Sequence, residues 1–97
     1  MEMYDVNNII FSSSACVYGL NGYLNEDSKL GPINPYGRTK YMIELILEDA
    51  AKANKKLNAI SLRYFNPIGA DPSGLIGESP NDIPNNLMPF IMRVANR

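Results

Sequence analysis

The sequence predicts an α/β fold built on one βαβ unit, in which a helix connects two parallel strands. Three successive patterns predict it: a short apolar run over residues 8–13, a helical periodicity over 36–54 and a second apolar run over 57–65. A strand, a crossover helix and a second strand give a parallel pair with a right-handed connection. With 97 residues, the chain can form one domain at most.

The first strand is predicted over residues 8–13, where an apolar run breaks into the hydroxyl cluster Ser12, Ser13 and Ser14. A buried parallel strand that ends in a loop has this pattern. The following segment, 19–35, is rich in Gly, Asn, Asp, Ser and Pro. We therefore expect a long surface loop there, with at most one short turn of helix.

The helix is predicted from Tyr36 to about Asn54, because apolar residues recur every three or four positions. Pro35 suits its first turn, where a missing N–H costs nothing, and the positive charge of Lys55 and Lys56 suits its end. The predicted apolar face is Tyr36, Met42, Ile43, Ile46, Leu47, Ala50 and Ala51, and the predicted polar face holds Glu44, Glu48, Asp49 and Lys52.

The second strand is predicted over residues 57–65, and a Pro- and Gly-rich segment over 66–85 follows it. That density of Pro and Gly is incompatible with regular structure and predicts a shaped loop. A last helix is predicted over 87–97, with Asn85 or Asn86 as its cap and Pro89 tolerated in its first turn.

Composition excludes several classes of function. Nine Lys plus Arg against ten Asp plus Glu give no basic surface for nucleic acid. No apolar stretch approaches the ~20 residues needed to cross a bilayer, so a membrane partner is not expected and the cytoplasm is the default location. Histidine is absent and Cys16 is the single cysteine, which excludes His-dependent nucleophiles, disulfides and a thiolate zinc site; no metal is expected.

Tyr36 and Lys40 are the first candidates for chemistry. Four residues apart on a helix, they share one face. An ammonium near a phenol favours the phenolate, which would make Tyr36 a general base; the alternative is a partly buried Tyr beside a solvated Lys. Ser14 ends the first strand, where ligands of parallel sheets bind, and could contact the same substrate hydroxyl. Its alternative role is to satisfy loose backbone groups.

The predicted elements cannot complete a parallel sheet. Such sheets are covered by helices on both faces, and two strands with two helices leave Ile10, Leu62 and Phe65 without partners. No Gly-x-Gly-x-x-Gly loop for a dinucleotide is present either. We therefore expect the chain to be the middle of a longer α/β protein, with self-association as the alternative.

Three segments, 11–19, 35–40 and 62–70, resemble the extended short-chain dehydrogenase/reductase superfamily. Ser14, Tyr36 and Lys40 match its catalytic Ser and Tyr-x-x-x-Lys signature. Within it, residues 63–74 and 83–89 resemble the UDP-glucose 4-epimerase family. Ala15 and Cys16 replace the Asp-Glu pair usual in the related nucleotide-sugar 4,6-dehydratases. The chain departs from the epimerase pattern at Cys16, where Thr is usual, and at Asp71, where His is common.

The resemblance implies part of a Rossmann-like, doubly wound parallel sheet with NAD as cofactor. Residues 1–97 would form the central and C-terminal part of the NAD-binding domain, with 66–97 leading into the nucleotide-sugar region; the glycine-rich half and the substrate domain would be absent. The full-length form would be a homodimer that interconverts UDP-glucose and UDP-galactose. The 97-residue chain alone would be inactive, or alternatively a non-catalytic truncated protein that self-associates or binds a partner.

The resemblance also implies residue roles. The catalytic residues would be Ser14, Tyr36 and Lys40. The cofactor-binding residues would be Ser12, Ser13, Tyr36, Lys40 and Tyr64. The substrate-binding residues would be Ser14, Tyr36, Phe65, Asn66, Asn86 and Leu87.

Overall fold

A computed structural model describes residues 4–20, 22–78 and 81–95. The chain divides into two compact units, Met1–Phe65 and Asn66–Arg97. The elements in order are strand β1 (Asn8–Ser14), a 3₁₀ turn (Ala15–Val17), helix α1 (Pro35–Ala53), strand β2 (Asn58–Tyr64) and helix α2 (Leu87–Ala95). The predicted βαβ unit is confirmed.

The two strands pair in parallel, and their register runs from Asn8 beside Asn58 to Ser14 beside Tyr64. Both strands therefore end at the same edge of the sheet. Helix α1 packs against both strands. On the alternating positions of the other face, Ile10 and Ile60 are 68% and 56% exposed, as expected for a sheet with incomplete cover.

Helix α1 begins where the sequence predicts. The Asn34 side chain accepts a hydrogen bond from the Gly37 N–H at 2.7 Å, and Pro35 occupies the first turn. The predicted division of its faces is wrong at three positions, because Glu44 is 8% exposed whereas Met42 and Ile46 are exposed. An ion pair with Arg63 compensates the burial of the Glu44 carboxylate, so the helix can turn this residue toward the sheet.

The most buried apolar residues of the first unit are at the end of the 3₁₀ turn, where Val17 is fully buried and Tyr18 is nearly so. The Gly31 N–H donates to the Val17 carbonyl at 2.9 Å and folds the loop after the turn back on it. Gly19 has φ 77°, and an added Cβ would collide with the Gly31 carbonyl, so only glycine fits there. The sequence allowed one short turn of helix within residues 19–35. The structure has a 3₁₀ turn just before that segment, at Ala15–Val17.

The second unit contains α2, and among its described residues the segment before α2 forms no helix or strand. The predicted helix starts at Leu87 as expected. Its predicted continuation to residue 97 lies outside the described residues.

Candidate active site

Lys40 connects helix α1 to the end of β1. Its Nζ atom donates to the Ser12 carbonyl at 2.8 Å and lies 5.6 Å from the centroid of the Tyr36 ring and 5.1 Å from that of Phe11. The predicted placement of Tyr36 and Lys40 on one face is thus confirmed. Over half of the Tyr36 surface is exposed, so a ligand can reach it. The arrangement holds a cation beside a phenol at the carboxyl end of a strand.

Ser14 is buried, and its Oγ atom accepts a hydrogen bond from the Cys16 N–H at 3.2 Å. The hydroxyl therefore caps the 3₁₀ turn, which agrees with the alternative role predicted for Ser14, that of satisfying loose backbone groups. A serine hydroxyl has one donor and two acceptor positions, so this bond leaves its O–H available to donate. Ser14 can therefore cap the turn and donate a hydrogen bond to a ligand at the same time.

Ser12 and Ser13 have different surroundings. Ser12 is exposed and offers its carbonyl to Lys40. Ser13 is 3% exposed, and its hydroxyl donates to a carboxylate oxygen of Glu44. The alternation of side chains along β1 explains the contrast, because Ser13 faces α1. The cofactor-binding roles of both serines stay predictions.

Sequence reasoning missed the ion pair that Glu44 makes with Arg63. The Arg63 Nη2 and Nε atoms donate to Glu44 Oε2 at 2.9 Å and to Oε1 at 3.2 Å. Its Nη1 atom donates to the Tyr18 hydroxyl at 3.0 Å and to the Glu26 carbonyl at 3.1 Å. The hydrogen bonds that Arg63 donates to the Glu44 carboxylate raise the pKa of Arg63 above its ordinary value, against the lowering effect of burial.

Two sequence signals point to this pair in hindsight. Arg63 stands inside the run predicted as the second strand of a parallel pair, where an unpaired buried charge would be costly. Glu44 follows Lys40 by four residues and so shares its helix face. Neither signal identifies the partner, because the two residues meet only once the strands and the helix have packed.

The end of β2 supplies two aromatic residues. Tyr64 is 43% exposed and lies beside Ser14 in the strand register. Phe65 is exposed, and its ring stacks on that of Tyr18 with centroids 6.3 Å apart. Asn66, Asn86 and Leu87 belong to the second unit. Their substrate-binding roles stay predictions, like those of Ser14, Tyr36 and Phe65.

Within residues 4–20, 22–78 and 81–95, no helix is both long and apolar enough to cross a membrane. In the same ranges, no group of three or more His, Cys, Asp or Glu side chains could hold a metal ion.

A parallel βαβ unit with a serine at its strand end and a Tyr-x-x-x-Lys pair on its helix defines an α/β protein of the short-chain dehydrogenase/reductase type. The chain belongs to the NAD dependent epimerase/dehydratase family, whose model matches residues 1–97.

Curated relatives and a solved structure agree with this family. The chain is 56% identical over 97 residues to a UDP-glucose 4-epimerase of Bacillus subtilis (strain 168) and 51% identical over 98 residues to one of Homo sapiens. Each match covers 98% of this chain but only 29% and 28% of the relative. A crystal structure of UDP-glucose 4-epimerase from Bifidobacterium longum in complex with NAD+ and UDP matches with a TM-score of 0.77 and 45% identity. That match covers 99% of this chain and 30% of the other, and it confirms the predicted fold class.

Proposed function

We propose that this chain carries the proton-transferring residues of a UDP-glucose 4-epimerase and works as part of a longer protein. The observation that carries the proposal is the position of Lys40, which contacts the Ser12 carbonyl and lies next to the Tyr36 ring at the carboxyl end of β1. The relatives support the substrate class, since those described above are UDP-glucose 4-epimerases. The reaction would interconvert UDP-glucose and UDP-galactose at C4.

The residues at the strand ends fit NAD, the cofactor of the family. Lys40 offers an ammonium and Tyr36 an exposed phenol, which are donors suited to the hydroxyls of a ribose. We propose that both contact the cofactor, together with Ser12, Ser13 and Tyr64. When bound, NAD supplies hydride-transfer chemistry at C4 of the sugar.

Tyr36 would act as the general base that takes the proton of the sugar 4-hydroxyl and returns it after the 4-keto intermediate turns over. Lys40 would hold its ammonium beside this base, since its Nζ atom lies 5.6 Å from the centroid of the Tyr36 ring. Ser14 would donate its hydroxyl hydrogen to the 4-oxygen while it still accepts from Cys16. Phe65, Asn66, Asn86 and Leu87 would bind the nucleotide-sugar.

The proposal extends to assembly and location. Met42, Leu45 and Ile46 form an exposed apolar strip on α1, which supports a homodimer of the full-length protein. A cytoplasmic location is consistent with a single unpaired cysteine. The 97-residue chain alone would have no turnover, because it spans only 29% and 28% of the two relatives described above.

The test uses a hybrid enzyme in which residues 1–97 replace the matching segment of the Bacillus subtilis relative. We expect the hybrid to contain NAD and to interconvert UDP-glucose and UDP-galactose. Tyr36→Phe should leave NAD bound and lower kcat by about 10²–10⁴-fold, the range for losing a general base. Tyr23→Phe is the matched control, because Tyr23 is fully exposed in the loop and should change nothing.

A hybrid without NAD or activity would count against the proposal, as would full activity in Tyr36→Phe. The isolated chain is assayed in parallel. Turnover by that chain would contradict its expected inactivity without affecting the role of Tyr36.

A further inference from the structure

The Glu44 carboxylate is the centre of a polar network behind the candidate site. It is 8% exposed and accepts hydrogen bonds from Ser13 of β1 and Arg63 of β2. A buried carboxylate is costly unless it is paired, and an apolar side chain would fill the same space at no electrostatic cost. Stability alone therefore does not account for a charged pair at this position.

We propose that Glu44 is a positioning residue that sets the two strand ends relative to Tyr36 and Lys40. This inference rests on the proposed function, because it assigns Glu44 to the same site. Glu44 itself touches neither the sugar nor the cofactor in this scheme. It acts through Ser13 and Arg63.

The first line of support is the way α1 contacts β1. Lys40 and Glu44 lie one helical turn apart on the same face. Lys40 donates to the Ser12 carbonyl, and Glu44 accepts from the hydroxyl of the next residue, Ser13. Two successive turns of the helix thus hold two successive residues of the strand, and Ser14 follows directly. A shift at Ser13 would move both Ser14 and the carbonyl that orients Lys40.

The second line of support is the Arg63 guanidinium, which joins β2 to the rest of the unit. Two of its nitrogens bind Glu44, and the third binds the Tyr18 hydroxyl and the Glu26 carbonyl. Only arginine offers donors in a planar fork that can serve these partners together. Arg63 directly precedes Tyr64 and Phe65, so its position fixes the end of β2. The Phe65 ring in turn stacks on Tyr18.

Three residues of the network therefore adjoin the candidate site. Ser13 lies between Ser12 and Ser14, Glu44 lies one turn from Lys40, and Arg63 adjoins Tyr64. Ser13 is itself proposed to contact the cofactor, and Glu44 and Arg63 are one helical turn from, or adjacent to, a residue with such a role. Errors of about 1 Å in such positions lower rates by about 10²-fold without removing any catalytic group.

The test compares Glu44→Gln with Glu48→Gln in the hybrid enzyme. The substitution is the same and the two positions are one turn apart, but Glu48 has an exposed side chain that pairs with Lys52 at 2.7 Å. We expect Glu44→Gln to lower kcat about 10- to 100-fold while KM and NAD content stay within about twofold. Glu48→Gln should keep the parent kcat. The assay runs below the unfolding temperature of both variants, so a purely structural role would leave kcat per folded molecule unchanged.

Arg63→Lys provides a second variant that keeps the buried carboxylate paired. One ammonium cannot replace the fork, so the same selective fall in kcat is expected. Unchanged kcat in folded Glu44→Gln, with the expected fall in kcat of Tyr36→Phe, would overturn the positioning role and leave the proposed function intact. Full activity of Tyr36→Phe would instead reject the proposed function. If Glu44→Gln does not fold, Arg63→Lys decides, and failure of both to fold would assign the network a structural role only.

Discussion

The Lys40 Nζ atom donates to the Ser12 carbonyl oxygen at 2.8 Å, so the ammonium beside the Tyr36 ring also connects α1 to β1. This bond holds the ammonium in place and uses one of its three N–H donors, so two donors remain for other partners. The same group lies 5.6 Å from the Tyr36 ring centroid. Lys40 therefore contributes both to the packing of α1 on β1 and to the candidate site.

Replacing Lys40 by Met in the hybrid enzyme should lower kcat by about 10²–10⁴-fold, because the proposed general base Tyr36 loses the ammonium that lies 5.6 Å from its ring centroid. NAD content should also fall, because Lys40 is proposed to contact the cofactor. Lys52→Met is the control, because Lys52 is exposed on the same helix and makes only surface ion pairs. Steady-state rates and NAD released on denaturation measure both effects. Parent activity in Lys40→Met would contradict the role of the ammonium.

Much of the fold follows from local pattern. The predicted limits of β1, α1 and β2 agree with the structure within about one residue, because period, capping and Pro placement act over a few neighbours. The pairing of Tyr36 with Lys40 was also predictable, since helix geometry alone places residues four apart on one face.

The orientation of α1 was not predictable in the same way. Its apolar residues form two adjacent strips, and Met42 and Ile46 belong to the strip that the structure leaves exposed. Glu44 faces the sheet instead and pairs with Arg63, which lies 19 positions away in the sequence. A buried, paired Glu is an exception to the rule that charged residues face outward, and a local pattern contains no information about its partner.

Gly37→Ala should destabilise the protein even though alanine favours helices. An added Cβ would lie 2.5 Å from the Cys16 carbonyl oxygen, which is backbone and cannot move aside alone. We expect a loss of about 1–3 kcal/mol, typical of overpacking and larger than the gain of about 1 kcal/mol from helix propensity. Urea unfolding of the hybrid enzyme measures it. Gly22→Ala, with nothing within 4 Å of the added Cβ, is the control, and equal midpoints for the two variants would refute the clash.

Asn34→Ala should remove the cap of α1. The lost hydrogen bond to the Gly37 N–H, 2.7 Å in length, should destabilise the protein by about 1 kcal/mol. Asn34→Asp should retain parent stability, because aspartate caps as well as asparagine and its charge suits the helix N-terminus. Unfolding midpoints in urea give both values. The cap would be unimportant if Asn34→Ala matched the parent.

The isolated 97-residue chain should associate in solution, because one face of its two-stranded sheet leaves Ile10 and Ile60 largely exposed side by side. Light scattering as a function of concentration measures the mass. The double variant Ile10→Thr with Ile60→Thr should shift the chain toward monomer, since threonine keeps the β-branched shape and replaces a methyl-bearing arm with a hydroxyl. Leu75→Thr with Ile76→Thr is the control, as both residues are exposed but lie outside the sheet. If both double variants lowered the mass equally, the association would be non-specific, and the prediction that the uncovered sheet face causes it would be wrong.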